Sequence, residues 1–186
     1  MPARELVPFQ AMPHLQGLEL LASADRETEG RLRLRFSLSG PLQAVLLPAL
    51  SPEPTRRDGL WESTCFEAFL GQQGAPNYWE INLAPNGDWN LYALSDYRTG
   101  LKPETRVNRL PFSQSRRLKT PDDPSTLERL DLELILDLSD WIGAEVPLEL
   151  SATAVLEHRN LGCSYWAWHH TGSEADFHRR DSFQPI

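Results

Sequence analysis

The chain has little cysteine, little methionine and no long apolar run, and each shortage narrows what it can be. Two cysteines among 186 residues, Cys65 and Cys163, with no C-x-x-C pair, are too few for a disulfide framework. Two reduced thiols are the expectation for a cytosolic chain, although the sequence leaves a single bridge open. No apolar segment approaches the ~20 residues that a membrane-spanning helix requires. Met1 to Glu5 opens no apolar stretch of the kind a secretory leader carries, so the expected compartment is the cytoplasm. Positive charge is also short: 18 Lys and Arg against 26 Asp and Glu leave a net charge of -8. That balance argues against nucleic acid and against anionic lipid as partners, since both need a basic surface. G-x-S-x-G, H-E-x-x-H and a Gly-rich phosphate loop are all missing. Helical periodicity is nearly absent too. One short helical turn is expected over Ser139 to Ala144, with Ser139 as its cap.

What is present is alternation. Leu32, Leu34, Phe36 and Leu38 alternate with Arg31, Arg33, Arg35 and Ser37, the pattern of a half-buried strand with a solvated arginine row. Leu130 to Leu138 and Val146 to Leu156 repeat it. Residues 60–94 read as a three-stranded antiparallel meander, with Pro85-Asn86-Gly87-Asp88 as a hairpin signal because Asn-Gly tolerates positive φ. Leu18 to Ala22 suits an edge strand, and Cys163 to His169 the last strand. Residues 101–128 read as a long surface loop, interrupted at most by a brief strand at Leu110 to Phe112. Seven to nine alternating strands with Gly and Pro turns predict an all-β fold: one antiparallel β-sandwich, or jelly roll, over residues 1–186.

The stretch from Leu60 to Leu70 organises the functional reading. In an unbroken strand, Trp61, Ser63, Cys65, Glu67 and Phe69 share one face, while Phe66, Ala68 and Leu70 serve the core. Glu80 and Asn82 on the next strand join the first set. An aromatic plate beside fixed acceptors is what a sugar-like ligand needs, because a lone carboxylate has no place on a pure packing face. The plainer reading is a solvated Glu67 and a Trp61 that covers a sheet end. Trp166 and Trp168 share a face, as ligand platforms or as core filling, and Arg98 can reach a ligand from a loop. Glu67 and Glu80 also supply the carboxylate pair that glycoside hydrolysis requires. His158, His169, His170 and His178 are imidazoles with ligand chemistry. Adjacent His169 and His170 face opposite sides of a strand, so no metal site is expected. With Met1 and Met12, the histidines are the available axial ligands for a haem.

The string Leu60-Trp61-x3-Cys65-Phe66-Glu67-x-Phe69-Leu70, followed by Tyr78-x-Glu80-Ile81-Asn82-Leu83-x-Pro85-x-Gly87-x-Trp89 and Tyr97-Arg98-x-Gly100, resembles the DOMON-like proteins. It is most similar to a bacterial group related to family-nine carbohydrate-binding modules. Trp166-Ala167-Trp168-His169 and Asp176-Phe177-His178-x3-Ser182-Phe183 fit the same group, so the resemblance covers most of residues 58–183. It implies a jelly-roll sandwich that binds a sugar or a haem without catalysing a reaction. Trp61, Glu67 and Asn82 match the first clamping tryptophan, the carboxylate and the amide of those modules, and Glu80 stands where they carry an arginine. Trp166 and Trp168 are candidates for the second clamp, with Phe177 behind them. The expected ligand-binding set is therefore Trp61, Glu67, Glu80, Asn82, Arg98, Trp166, Trp168 and His178. No catalytic residue is expected. The partner is a sugar-like small molecule, with haem as the alternative cofactor.

Overall fold

The computed structural model describes residues 2–27, 30–110, 112–120, 123, 127–143 and 145–186. Two antiparallel sheets stack into a β-sandwich. The first has five strands: β1 (Arg4–Glu5), β3 (Glu19–Arg26), β4 (Arg31–Ser39), β10 (Leu127–Asp137) and β9 (Phe112–Leu118), in that spatial order. The second runs β2 (Val7–Pro8), β12 (Gly162–Ala167), β11 (Leu148–His158), β5 (Cys65–Gln72), β6 (Tyr78–Leu83), β7 (Trp89–Leu94) and β8 (Lys102–Pro103). The short β13 (Gln184–Pro185) adds to β11. Among the described residues no helix is long and apolar enough to cross a membrane.

Alternation explains the stacking. Leu32, Leu34, Phe36 and Leu38 of β4 and Leu130, Leu132, Leu134 and Leu136 of β10 are buried. They meet Phe66, Ala68 and Leu70 of β5 and Leu148, Leu150, Ala152, Ala154 and Leu156 of β11 in one core. Fully burying a Leu or Phe side chain contributes roughly 1.5–3 kcal/mol, so this seam carries most of the stability. The expected meander is present: β5, β6 and β7 pair in sequence, with Gly87 at φ 99 closing the β6–β7 turn.

Four expectations change. The strand through Leu60 to Leu70 begins only at Cys65; Leu60–Glu62 is a 3-10 turn, entered through Gly59 at φ 72. Residues 101–128 are not one loop, because β9 occupies Phe112–Leu118 and pairs with β10. Ser139 to Ile142 is a turn and not a helix: the Trp141 and Ile142 amides both donate to the Leu138 carbonyl, and Ala144 lies outside the described residues. Trp166 and Trp168 point into the core between the sheets, 2% and 6% exposed, and cannot clamp a ligand. Their parity on β12 matches the inward residues of β11: Trp166 lies opposite Ala154, and Ala154 opposite Phe66.

Candidate functional site

The outer face of the eight-stranded sheet is built from the other parity. One cross-strand row holds Thr153, Glu67, Asn82 and Asn90; the next holds Ser151, Phe69, Glu80 and Tyr92. All eight are buried, because segments from elsewhere in the chain roof this face. The floor is therefore polar and covered, an arrangement that only a site or a satisfied polar network sustains.

Three segments form the roof. The first is the turn at Leu60–Glu62, which carries Trp61. Its approach is tied to β7: Asn90 Nδ2 donates to the Arg57 carbonyl at 2.8 Å, and Tyr92 Oη donates to Asp58 Oδ1 at 2.6 Å. The Trp61 ring then stands edge-on to Tyr92, centroids 5.9 Å apart, and stays 38% exposed. The second segment is the turn at 97–101, where Arg98 adopts φ 50 and its amide donates to Tyr78 Oη at 3.2 Å. The third is residues 175–178. Asp176 joins the last two, since it accepts from Tyr97 Oη, from Arg98 Nη2 at 2.8 Å and from the His178 amide at 3.1 Å. Arg180 fixes the same segment by ion-pairing with Glu149 and donating to the Asn77 and Gln72 carbonyls. A Cβ on Gly71 would lie 2.6 Å from that guanidinium, so a side chain there would displace Arg180 from its present bonds.

Between floor and roof lies a hollow of ≈ 410 Å³, lined by Trp61, Glu67, Phe69, Glu80, Arg98 and His178, with Tyr165 and Phe177 on its wall. Five of the eight expected residues thus converge: Trp61, Glu67, Glu80, Arg98 and His178. Asn82 lies beneath them, fully buried, its amide donating to Glu80 Oε1 at 2.8 Å. The sequence reading missed Tyr165. Its signal was parity: Tyr165 alternates with Trp166, and once Trp166 is inward, Tyr165 must face out, where it is 42% exposed.

The electrostatics of the floor are unusual for a surface. Glu67 is 2% exposed, its Oε1 has no hydrogen-bond partner, and Oε2 accepts a long 3.4 Å bond from Thr153 Oγ1, with the Cys65 thiol also acting on the carboxyl. Burial, reinforced by the neighbouring Glu80 charge, holds the Glu67 carboxyl well above the usual carboxylate range. Burial also raises Glu80, against the lowering effects of the Asn82 bond and of Arg98. His178 shares a 2.8 Å hydrogen bond with Tyr78 through Nδ1 and faces Glu80 Oε2 with Nε2 at 3.9 Å. Burial and Arg98 hold its pKa down at about 4, so the ring is neutral.

The remaining histidines are scattered. His158 is buried against Ser164 Oγ at 2.7 Å, His170 bonds the Val7 carbonyl, and neither lines the hollow; nor do His169 and Met12. No His–Met pair meets there, and Met1 lies outside the described residues. Among the described residues no group of three metal-ligating side chains gathers anywhere. Both cysteines are free: Cys65 is buried beside Asn82, and Cys163 is half-buried on β12.

No family model matches the chain, and no curated protein matches it. A solved structure does resemble it. A protein of Bacteroides uniformis, named a "putative carbohydrate-binding protein", superposes with a TM-score of 0.67 at 13% identity, over 98% of this chain and 85% of its own. At that identity the likeness establishes the β-sandwich fold.

Proposed function

We propose that the protein is a non-catalytic binding module of the DOMON-like, family-nine carbohydrate-binding type, and that a small carbohydrate or polyol occupies the hollow over β5 and β6. The observation that carries this reading is the partnerless Glu67 Oε1 at the base of a hollow whose mouth bears the exposed Trp61 ring. A sugar has an apolar ring face and a rim of hydroxyls, and the hollow offers a counterpart to each. Trp61 is the stacking plate, with Tyr165 and Phe177 across from it. Glu67 and Glu80 take up hydroxyl hydrogen bonds. Asn82 orients Glu80 from below, Arg98 donates from the rim, and His178, kept neutral by burial and Arg98, is positioned by its bond to Tyr78. The printed name of the Bacteroides uniformis protein agrees with this assignment.

Glu67 and Glu80 rise from neighbouring strands of one floor. That placement suits two hydrogen-bonding groups on one side of a ligand better than an acid and a nucleophile flanking a scissile bond. Two free thiols fit a reducing compartment, in keeping with a cytoplasmic protein. Calorimetric titration with a panel of monosaccharides, disaccharides and polyols tests the reading. A binder whose affinity falls on Trp61→Ala supports it, and a panel with no binder at millimolar concentration rejects it.

A further inference from the structure

The polar atoms of the floor are one-sided. Glu67 Oε1 is buried without a partner and Oε2 holds one long bond. Glu80 Oε1 accepts from Asn82, and Oε2 faces the neutral His178 Nε2 at 3.9 Å. Among the side chains that line the hollow, the floor atoms left without a close partner are carboxyl oxygens. The cation supply is equally thin. Arg98 is half exposed and held at the rim by Asp176, and His178 is uncharged. Aromatic rings complete the enclosure: Trp61, Phe69, Tyr165 and Phe177 all line it. Ring faces attract cations, more strongly when the site is shielded from water. The missing component is a compact, multiply donating positive charge. Among the described residues no triad of metal ligands is present, so a metal ion is a poor fit.

We propose that the preferred ligand carries a protonated amine, as an amino sugar or amino polyol does, with its ammonium seated on Glu67 Oε1 and Glu80 beneath the Trp61 ring. The proposal rests on the carbohydrate-binding reading above and narrows it. An ammonium supplies three donors to these carboxyl oxygens. Its charge also opposes the effect of burial and of Glu80 on the Glu67 carboxyl. Binding then favours the carboxylate form facing the ammonium, and the proton it gives up passes to solvent. The groups facing Glu67 set this linkage. Cys65 lies on its own strand, Glu80 comes from β6 and the uncharged Thr153 from β11. Tyr165 stands on the wall, and Arg98 and His178 come from the roof with Asp176 behind them. None but Arg98 is cationic at neutral pH, so the ammonium is the charge that decides the state of Glu67.

The test is calorimetric titration of the intact chain with matched pairs at about pH 6.5: D-glucosamine against D-glucose and N-acetyl-D-glucosamine, and 1-amino-1-deoxy-D-sorbitol against D-sorbitol. Each is measured in two buffers of different ionisation enthalpy. The amine member of each pair should bind about tenfold tighter or more, since a shielded charge pair outweighs one hydroxyl bond. N-acetylation should return affinity to the glucose level. Amine binding should release protons from Glu67, so amine affinity should rise as pH increases from about 5 to about 6.5. Glu67→Gln should bring the amine-to-hydroxyl ratio down to about one. Hydroxyl members binding as tightly as the amines would overturn the inference and leave the carbohydrate reading standing. No binding by any of the five would overturn both. An amine preference that releases no proton and survives Glu67→Gln would overturn the seat assigned to the ammonium.

Discussion

The two sheets each present a hollow on their outer face, and the two are nearly the same size. That of the five-stranded sheet measures ≈ 450 Å³ and is lined by Arg35, Ser37, Ser113, Arg129, Asp131 and Glu133 among others. That of the eight-stranded sheet measures ≈ 410 Å³. Volume does not separate them; the state of their charges does. On the five-stranded sheet Arg33 pairs with Glu27 and Glu133, Arg35 with Glu133 at 3.3 Å, and Arg129 with Asp131 at 2.8 Å. These pairs are partly exposed, self-satisfied and screened by solvent, so they ask nothing of a ligand. On the eight-stranded sheet two carboxyls are shut away from water with no cation bonded to them, beside the exposed rings of Trp61 and Tyr165. A charged residue on the outer face of a strand is ordinarily solvated. It becomes chemistry when other segments roof it, as 60–62, 97–101 and 175–178 do here.

The contrast can be broken experimentally. The largest effect is expected from Trp61→Ala, which should weaken a bound sugar by roughly 10–100-fold, about 1.4–2.8 kcal/mol. Arg35→Ala on the other sheet should leave the same titration unchanged. Equal losses from both would erase the distinction between the faces.

Next comes the pH dependence of unfolding. His178 has its folded pKa lowered to about 4 by burial and by Arg98, below the ordinary 6.5. As pH falls below about 6.5 the unfolded chain binds a proton that the folded chain refuses. Stability is therefore lost down to about pH 4, on the order of 2 kcal/mol, and then levels off. Denaturant titrations of wild type and His178→Asn between about pH 4 and 7 check this: the variant should lose that acid dependence. Glu67 acts at the other end. Its folded pKa is raised, so the unfolded chain ionises first as pH climbs above 4.5 and stability declines until the folded pKa is reached. Glu67→Gln should therefore gain on the wild type as pH rises through this range.

The smallest effect belongs to the five-stranded sheet. Arg33→Ala should barely move the denaturation midpoint, and whatever shift occurs should vanish in high salt.

Much of this was legible in sequence because alternation reports which residues share a face. It marked β4, β10, β11 and the meander, and it put Glu67, Glu80 and Asn82 together. It failed where packing alone decides. Phe112–Leu118 has no buried residue and holds its place as an edge strand through pairing with β10, so it carries no hydrophobic period. Alternation says that Trp166 and Trp168 agree in direction without saying which direction. The inward choice, fixed by register with β11 and β5, exchanged them for Tyr165. Trp61 reached the expected neighbours by a different route, on a 3-10 turn and not on the strand. His178 and Phe177 were expected near the ligand, but that residues 175–178 roof the floor was not legible, because their contacts with Tyr78, Tyr97 and Arg98 join positions far apart in the chain.

The central claim is that Glu67 is dry, unpaired and available to a ligand whereas the acids of the other face are not. Carbon-13 NMR of the glutamate side-chain carboxyls, titrated with and without a saturating sugar, addresses it directly. Glu27, held low by the Arg33 hydrogen bond, should titrate below 4.5 and ignore the sugar. Glu67 should titrate well above it, and its resonance should shift when sugar binds. Glu67 titrating together with Glu27, or standing unmoved by a sugar that binds elsewhere on the protein, would contradict the account.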